Sequence, residues 1–412
     1  MAVDSAKYCI VSFIFNQHQS EMKCLIPNIG STSFKFRVLD MPSETCLAQG
    51  RIERIGQPGG ECADYPAAIH KCISEIAGAG KPLAGLSEIG AVGFKAVHAG
   101  PLNAPQLIDD EFLAAMEEFC FFAPAHNPPY IAAIKAFRQV LPGVPLVAVM
   151  EPFPYRFMDE ESTTYAVPYE WRSTYGIRRY GFHGASHRAA NEHTSAALSR
   201  SDLRHISCHL GGSSSVTAFR SGVAIDTSFG TSPQSGLPQC NRVGDIDAFA
   251  VLHMMKKLKL DPDQMATLLG SKSGLAGISG TSGDIRDLTE AAARGESCSQ
   301  LALDVFVSAI RHYLGAFMLE LGGVDAITFS GGIGENSVDI RAAVLRDLSG
   351  FGIELDQARN KSINGEGVIS PDSSRVKVLV VPANEEVIVA RETAAVASRS
   401  NAATQARSGQ AT

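Results

Sequence analysis

A chain of 412 residues is too long for one ordinary core and points to two or three domains. With 45% hydrophobic and 19% charged residues it reads as globular rather than disordered, and a net charge of −7 excludes a general nucleic-acid binder, which needs surplus Lys and Arg to displace counterions. No apolar run suggests a membrane span, and the nine scattered cysteines, lacking a CxxC pair or a Cys/His metal spacing, fit a reduced cytoplasm.

Residues 1–21 read as an N-terminal extension. Tyr8 to Phe15 is apolar and follows Lys7, but Asp4 precedes it and no small-residue cleavage site follows, so it does not make a signal peptide. Met22 can open the folded chain. The pattern then predicts strands over 23–26, 34–39 and 46–55, a helix over 65–76 and a strand over 89–97. Helices over 109–119 and 130–140 follow, the second after Asn127-Pro128-Pro129, where proline suits a first turn. A short buried strand is expected over 145–150. The second half repeats the theme with a helix over 186–198, a hairpin over 204–219, a strand over 222–226 and helices over 246–258 and 299–321. Strand 326–329, a helix over 338–348, strand 376–381 and helix 385–397 complete it, and the segment from Ser398 to Thr412 reads as frayed. Strands alternating with helices indicate an α/β architecture.

Three glycine loops interrupt this order. At 209–219 (HLGGSSSVTAF) two adjacent glycines permit a tight turn with N–H groups aimed at one point, and three hydroxyls add donors, as a phosphate cradle requires. Taken alone, the stretch fits a plain hairpin turn equally well. A similar loop stands at 28–36 (NIGSTSFKF), and a third glycine turn at 330–337 (SGGIGENS). Strand, Gly/Ser loop and strand thus occur in both halves, which suggests an internal duplication whose two loops face one polyphosphate.

Longer motifs carry a family likeness. NIGSTSFKF at 28–36, AHNP at 125–128, YGIRRYGFHGASH at 175–187, HLG at 209–211, NRVGDID at 241–247, GGIGENS at 331–337 and PANEE at 382–386 resemble, in order, the acetate kinase family, a likeness that spans 22–393. The resemblance implies two duplicated actin-like, ribonuclease H-like α/β domains flanking an ATP cleft, in a homodimer. It divides the chain into domain I at 22–152, completed by helix 388–400, and domain II at 153–387, with a disordered tail at 401–412. It implies reversible transfer of phosphate from ATP to a short-chain carboxylate, giving acyl phosphate and ADP, with no role for nucleic acid or membrane.

Phosphoryl transfer needs in-line alignment, positive charge and a metal rather than covalent help. The resemblance assigns Arg242 to the carboxylate and phosphoryl group, a task suited to a planar guanidinium, and His183 to the transferring phosphoryl. Glu151 joins them as a catalytic carboxylate, and His126 and His209 as supporting histidines. Asn28 and Glu385 are the Mg2+ (or Mn2+) candidates, hard oxygen donors of the kind that ion prefers; Glu385 and Glu386 also complement a helix dipole. Ser33 and Lys35 fall on the first phosphate loop, Gly211 and Gly212 on the second. Gly331, Gly332, Ile333, Gly334 and Asn336, with Asp284, Ile285 and Arg286, match the adenosine site. Val97, Ala125, Phe182 and Pro233, beside Lys95, match the pocket for the acyl group.

Four positions depart from the family pattern. Lys95 replaces an arginine, Glu151 an aspartate, Gly212 an asparagine and Ala125 a leucine. The smaller Ala125 leads us to expect propionate or a longer acid in preference to acetate. The other three touch phosphate or carboxylate contacts, and they leave open a second reading, a catalytically weak nucleotide-binding or regulatory member of the fold.

Overall fold

The computed structural model describes residues 21–30 and 32–409, with side chains described as far as Ala402. The expected extension lies, but for Glu21, outside the described residues. The chain divides into two compact units, one running to Arg156 and resuming at Asn384, the other Phe157–Ala383.

The first unit is built on a six-stranded sheet: β1 (Met22–Ile29), β2 (Phe34–Met41), β3 (Thr45–Ile52), β4 (Ile89–Ala96), β5 (Gln106–Leu107) and β6 (Leu146–Met150), in spatial order β3-β2-β1-β4-β6-β5. β1 pairs antiparallel with β2 and parallel with β4, and β4 is parallel to β6. The short β5 is an antiparallel edge. β6 is buried throughout, as a strand covered on both faces must be. In β2, by contrast, Phe34, Phe36 and Val38 are buried between an exposed Lys35 and a half-buried Arg37, the period of two expected when only one face is packed. That packed face meets helices Tyr65–Ile76, Asp110–Glu118 and Asn127–Val140 through Ile69, Phe112, Ile134 and Phe137. The last helix, Glu385–Gly409, lies on the opposite face against β4, β1 and β6. There Gly93 brings the sheet so close that a Cβ would sit 2.0 Å from the Thr393 hydroxyl.

The second unit repeats this plan. β7 (Arg204–Leu210), β8 (Ser214–Arg220), β9 (Val223–Thr227), β10 (Ala326–Ser330), β11 (Gly367–Val368) and β12 (Lys377–Val380) lie in the order β9-β8-β7-β10-β12-β11. Each position holds the strand six places later in the chain than its counterpart, with the same directions. The duplication suggested by the loops is therefore a duplication of sheet topology. One face carries an apolar core built with helix Ser297–Glu320. That helix has the length and composition of a membrane span, contrary to the sequence expectation, yet Ala302, Phe306, Ile310, Leu314 and Phe317 are buried in the core of this unit. The other face receives helix Gly184–Ala197 through a polar layer, in which Thr194 and His205 both bond the Thr328 hydroxyl.

Three expectations change. The glycine stretch after β10 is a short helix, Gly331–Asn336, rather than a turn. The helix expected over 338–348 ends at Val344. The final helix, expected over 385–397, continues to Gly409, so the segment read as frayed and disordered has helical backbone that far.

Candidate active site

In the first unit the sequence-predicted residues gather at the carboxyl ends of the parallel strands, where open α/β sheets place their ligands. Asn28 is the penultimate residue of β1, Lys95 that of β4, and Glu151 follows β6 directly. The Lys95 ammonium lies 3.2 Å from a Glu151 carboxylate oxygen and 2.5 Å from one of Glu385, which opens the last helix. Burial alone would lower the Lys95 pKa, but Glu385 and then Glu151 outweigh it and hold the amine well above its ordinary value. This cation is thus compensated twice over. Tyr130, which sequence reasoning passed over, is 1% exposed, and its hydroxyl accepts the Ile29 N–H at 3.3 Å. Burial pushes its pKa up to about 12, so it stays a neutral phenol.

Val97 is buried just beyond β4, Ala125 is exposed, and His126 occupies the N-cap position of helix Asn127–Val140. Asn127 fixes that corner by donating to the carbonyls of His98 and Met116. Ser33 accepts the Gly30 N–H through its carbonyl, closing the β1–β2 hairpin, and Lys35 pairs in register with Asn28. Asn28 and Glu385 are oxygen donors, and among the described residues no group of three His, Cys, Asp or Glu could hold a metal alone. That donor set fits Mg2+, which takes one or two protein oxygens and completes its shell with phosphate and water.

In the second unit the expected hydroxyl cradle is divided among several tasks. Ser214 closes the Gly211 turn, accepting the Gly211 N–H and donating to its carbonyl. The Ser215 hydroxyl sits between two imidazoles, 2.8 Å from His183 Nδ1 and 2.7 Å from His187 Nε2. Only Ser213 is left at the loop, where it accepts from Arg242 Nη1 at 3.3 Å. Burial, then His209 and His205, press the His187 pKa well below its ordinary value, so this ring is neutral. With Ser207 donating to His187 Nδ1, His187 Nε2–H can donate to Ser215, which donates in turn to His183 Nδ1. That proton arrangement leaves His183 with an Nε2–H. His183 itself takes the left-handed conformation, φ 57°, at the N-cap of helix Gly184–Ala197, a strained setting for a non-glycine residue and one that clusters at functional sites. His209 packs 4.5 Å from it, centroid to centroid, and bonds Ser186 at 2.6 Å.

Arg242 is half-buried on a loop pinned by the start of helix Gly274–Ser279. Ser273, Leu275 and Ala276 donate their N–H groups to the carbonyls of Asn241, Gln239 and Cys240. Its Nη1 reaches the Pro233 carbonyl and Gln239 Oε1, each at 3.3 Å, and burial lowers its pKa without discharging it. Among the described residues no carboxylate forms an ion pair with it, in contrast to Lys95. Pro233 is buried, and Phe182 is buried edge-on to Phe229.

A cavity of about 790 Å3 in this unit is lined by Gly211, Gly212, Asp284, Ile285, Arg286, Gly332, Ile333 and Asn336. It therefore brings together most of the residues matched to the adenosine site. Gly331 and Gly334 lie buried outside this lining, and Gly331, φ 75°, runs so close to β7 that a Cβ would stand 2.6 Å from the Leu210 carbonyl. Asp284 caps helix Ile285–Ala293 and pairs with Arg286, whose hydrogen bonds pull the carboxyl down to about 2. Sequence reasoning missed Cys240, Thr289 and Glu290, which also line the cavity; no motif announced them.

The model of the Acetokinase family matches residues 23–391. The chain belongs to the acetokinase family. It is 41% identical over 390 residues to an acetate kinase of Shouchella clausii, covering 90% of this chain and 98% of that protein. Against the acetate kinase of Bacillus subtilis the identity is 40% over 388 residues, again 90% and 98%. The crystal structure of Porphyromonas gingivalis acetate kinase superposes with a TM-score of 0.81 at 34% identity, covering 91% of this chain and 99% of that one. A propionate kinase of Francisella tularensis gives a TM-score of 0.81 at 30% identity, with 90% and 99% covered. As an acetokinase family member the chain is a phosphotransferase with a carboxyl acceptor and ATP as its co-substrate.

Proposed function

We propose that this chain converts a short-chain carboxylate and Mg-ATP reversibly to acyl phosphate and ADP, with propionate or a longer acid preferred to acetate. The observation that carries the reading is Arg242, a half-buried guanidinium with no carboxylate paired to it among the described residues. Burying an uncompensated charge is costly, and an anionic substrate removes the cost.

A carboxylate oxygen attacks the γ-phosphorus as the bond to the ADP oxygen breaks; no proton need move. Arg242 holds the carboxylate and the equatorial oxygens, and His183, oriented through Ser215, donates to the phosphoryl group. His209, beside it, and His126 support the geometry. Asn28 and Glu385 would hold Mg2+ or Mn2+, which when bound neutralises phosphate charge. Ser33 and Lys35 steady the phosphates. Lys95 and Glu151 form a charged pair in the first unit, and Glu151 helps hold the ammonium in place. ATP occupies the cavity at Gly211, Asp284 and Gly332. Val97, Ala125, Phe182 and Pro233 receive the alkyl group, and each buried methylene contributes about 0.8 kcal/mol. The free cysteines among the described residues accord with a reducing cytoplasm.

A homodimer is part of the proposal. Helix Ala248–Leu258 has no buried residue, and Phe249 and Leu252, 81% and 57% exposed, stand three apart on one side of it, which a second copy would cover. Phe249→Glu with Leu252→Glu should convert a dimer to a monomer in light-scattering chromatography.

A hydroxamate trap for acyl phosphate, run with Mg-ATP and acids from acetate to valerate, tests the whole reading. ATP binding without product from any acid would overturn it, and the highest kcat/KM on acetate would overturn the pocket assignment. Arg242→Ala should abolish transfer and leave ATP affinity nearly intact; equal loss of both would assign Arg242 the wrong role.

A further inference from the structure

The face of the first sheet that carries the last helix also holds two arginines, Arg37 on β2 and Arg51 on β3, that phosphoryl transfer does not use. Lys35 is paired in register with Asn28 on one side and Arg51 on the other, and Arg37 is flanked in the same way by Ile26 and Gln49. These residues share a face, since successive side chains alternate and Phe34, Phe36 and Val38 turn into the core. Together with Glu386 they line a groove of about 450 Å3.

The arrangement is electrostatically unfavourable as it stands. Like charges placed directly opposite on neighbouring strands repel, and Lys35 faces Arg51 with Arg37 on the diagonal. The acidic neighbours are few: Glu386, 4.0 Å from Arg37, and Glu53, paired with Arg51. Charges on an edge strand guard against aggregation, but that accounts only for Arg51 on β3. It does not account for Arg37 on the second strand, nor for the amide of Gln49 paired beside it. Two guanidiniums, an ammonium and two amide donors facing one groove form a set that phosphate oxygens satisfy.

We propose that this groove is a binding site for a phosphate-bearing small anion, lined by none of the residues of the nucleotide cavity and centred on Arg37 and Arg51. The site goes beyond the phosphotransfer reading, which uses neither arginine.

The test is calorimetric titration of the full chain with pyrophosphate, and separately with inorganic phosphate, while ADP saturates the nucleotide cavity. Wild type should bind one pyrophosphate per chain, more weakly as salt rises. Arg37→Gln with Arg51→Gln should weaken that binding about tenfold or more while ADP affinity stays unchanged, and Arg37→Lys with Arg51→Lys should recover part of it. Stronger binding of pyrophosphate than of inorganic phosphate would assign the site to diphosphates, and the reverse to single phosphates. Absence of binding by wild type, or equal affinity in wild type and the glutamine variant, overturns the proposal. ADP affinity and acyl phosphate formation are read separately, so failure here is distinguishable from failure of the kinase reading.

Discussion

The loop that carries Arg242 is held by one glycine, and Gly274→Ala tests how much depends on it. Gly274 has φ 62°, and a methyl group there would lie 2.2 Å from the Gln239 carbonyl oxygen, 2.6 Å from that of Arg242 and 2.8 Å from the Arg242 nitrogen. All three are backbone atoms, so no side chain can swing aside. Restoring normal contact requires the 239–242 loop to retreat by roughly 1 Å. A displacement of that size in a substrate-positioning group costs on the order of 100-fold in rate, about 2.7 kcal/mol of transition-state stabilisation. Left-handed alanine adds about 1–2 kcal/mol of strain. In a unit of this size that lowers Tm by about 2–8 °C before the clash is counted. The natural control is Gly280→Ala, with φ 72° but nothing within 4 Å of the added carbon. It should show the loss of Tm from strain alone and unchanged kcat. Both variants are assayed by hydroxamate trapping, ATP titration and thermal melting. If Gly274→Ala keeps kcat within about twofold of the control, Arg242 is not positioned by this packing.

Gly212 does not take a left-handed φ, and a Cβ there would meet only the Cys240 sulfur, at 3.7 Å. Gly212→Asn should therefore fold normally and raise kcat/KM by supplying the amide of the family pattern that the sequence resembles; a fall would show that the loop has been rebuilt around glycine. Lys95→Arg and Glu151→Asp alter the two sides of one ion pair in opposite directions of length. Each alone should lower kcat/KM, and together they should recover part of the loss, with about 0.5–3 kcal/mol of coupling in a double-mutant cycle. Strict additivity would show that the pair is not a unit. His205 is buried and neutral, its pKa depressed by burial to about 3 from an ordinary 6.5. The unfolded chain binds this proton first, so stability is full above the unfolded pKa and falls as pH drops below it, by about 1.4 kcal/mol per pH unit. Urea unfolding between about pH 7 and about pH 5 should show a slope to which His205 and the likewise buried, neutral His187 both contribute, and His205→Gln should remove about 1.4 kcal/mol per pH unit of it; the same slope in both would sink the assignment.

Much of the frame was legible because strands and long helices advertise their period. The run at 326–329 read as a strand and is one, and Tyr65–Ile76 matched its helical spacing residue for residue. The stretch 262–293 was not read, because its three helices are short and interrupted by Gly274, Gly280 and Gly283, which a local pattern registers as breaks. Gly331-Gly332 misled in the same way: Gly331 supplies a close approach to β7 and the chain turns into a helix directly after it. In the candidate site the loops and the charged residues were visible as motifs. The Ser215 bridge between His183 and His187 was not, since it joins residues 32 and 28 apart through a strand pairing that no local signal encodes.

The last helix has a consequence for how the molecule is made. The strands of the first sheet leave the ribosome before the second unit, but the helix that covers one face of β1, β4 and β6 is translated only after that unit is complete. Until it arrives, a largely apolar face including Cys24, Ile26, Ala91, Val147 and Val149 has nothing to pack against, and Lys95 lacks Glu385. The first unit therefore begins before the second and finishes after it. A nascent chain stalled before Asn384 would present an unfinished sheet to chaperones and proteases while its central unit, contiguous in sequence, could already be folded.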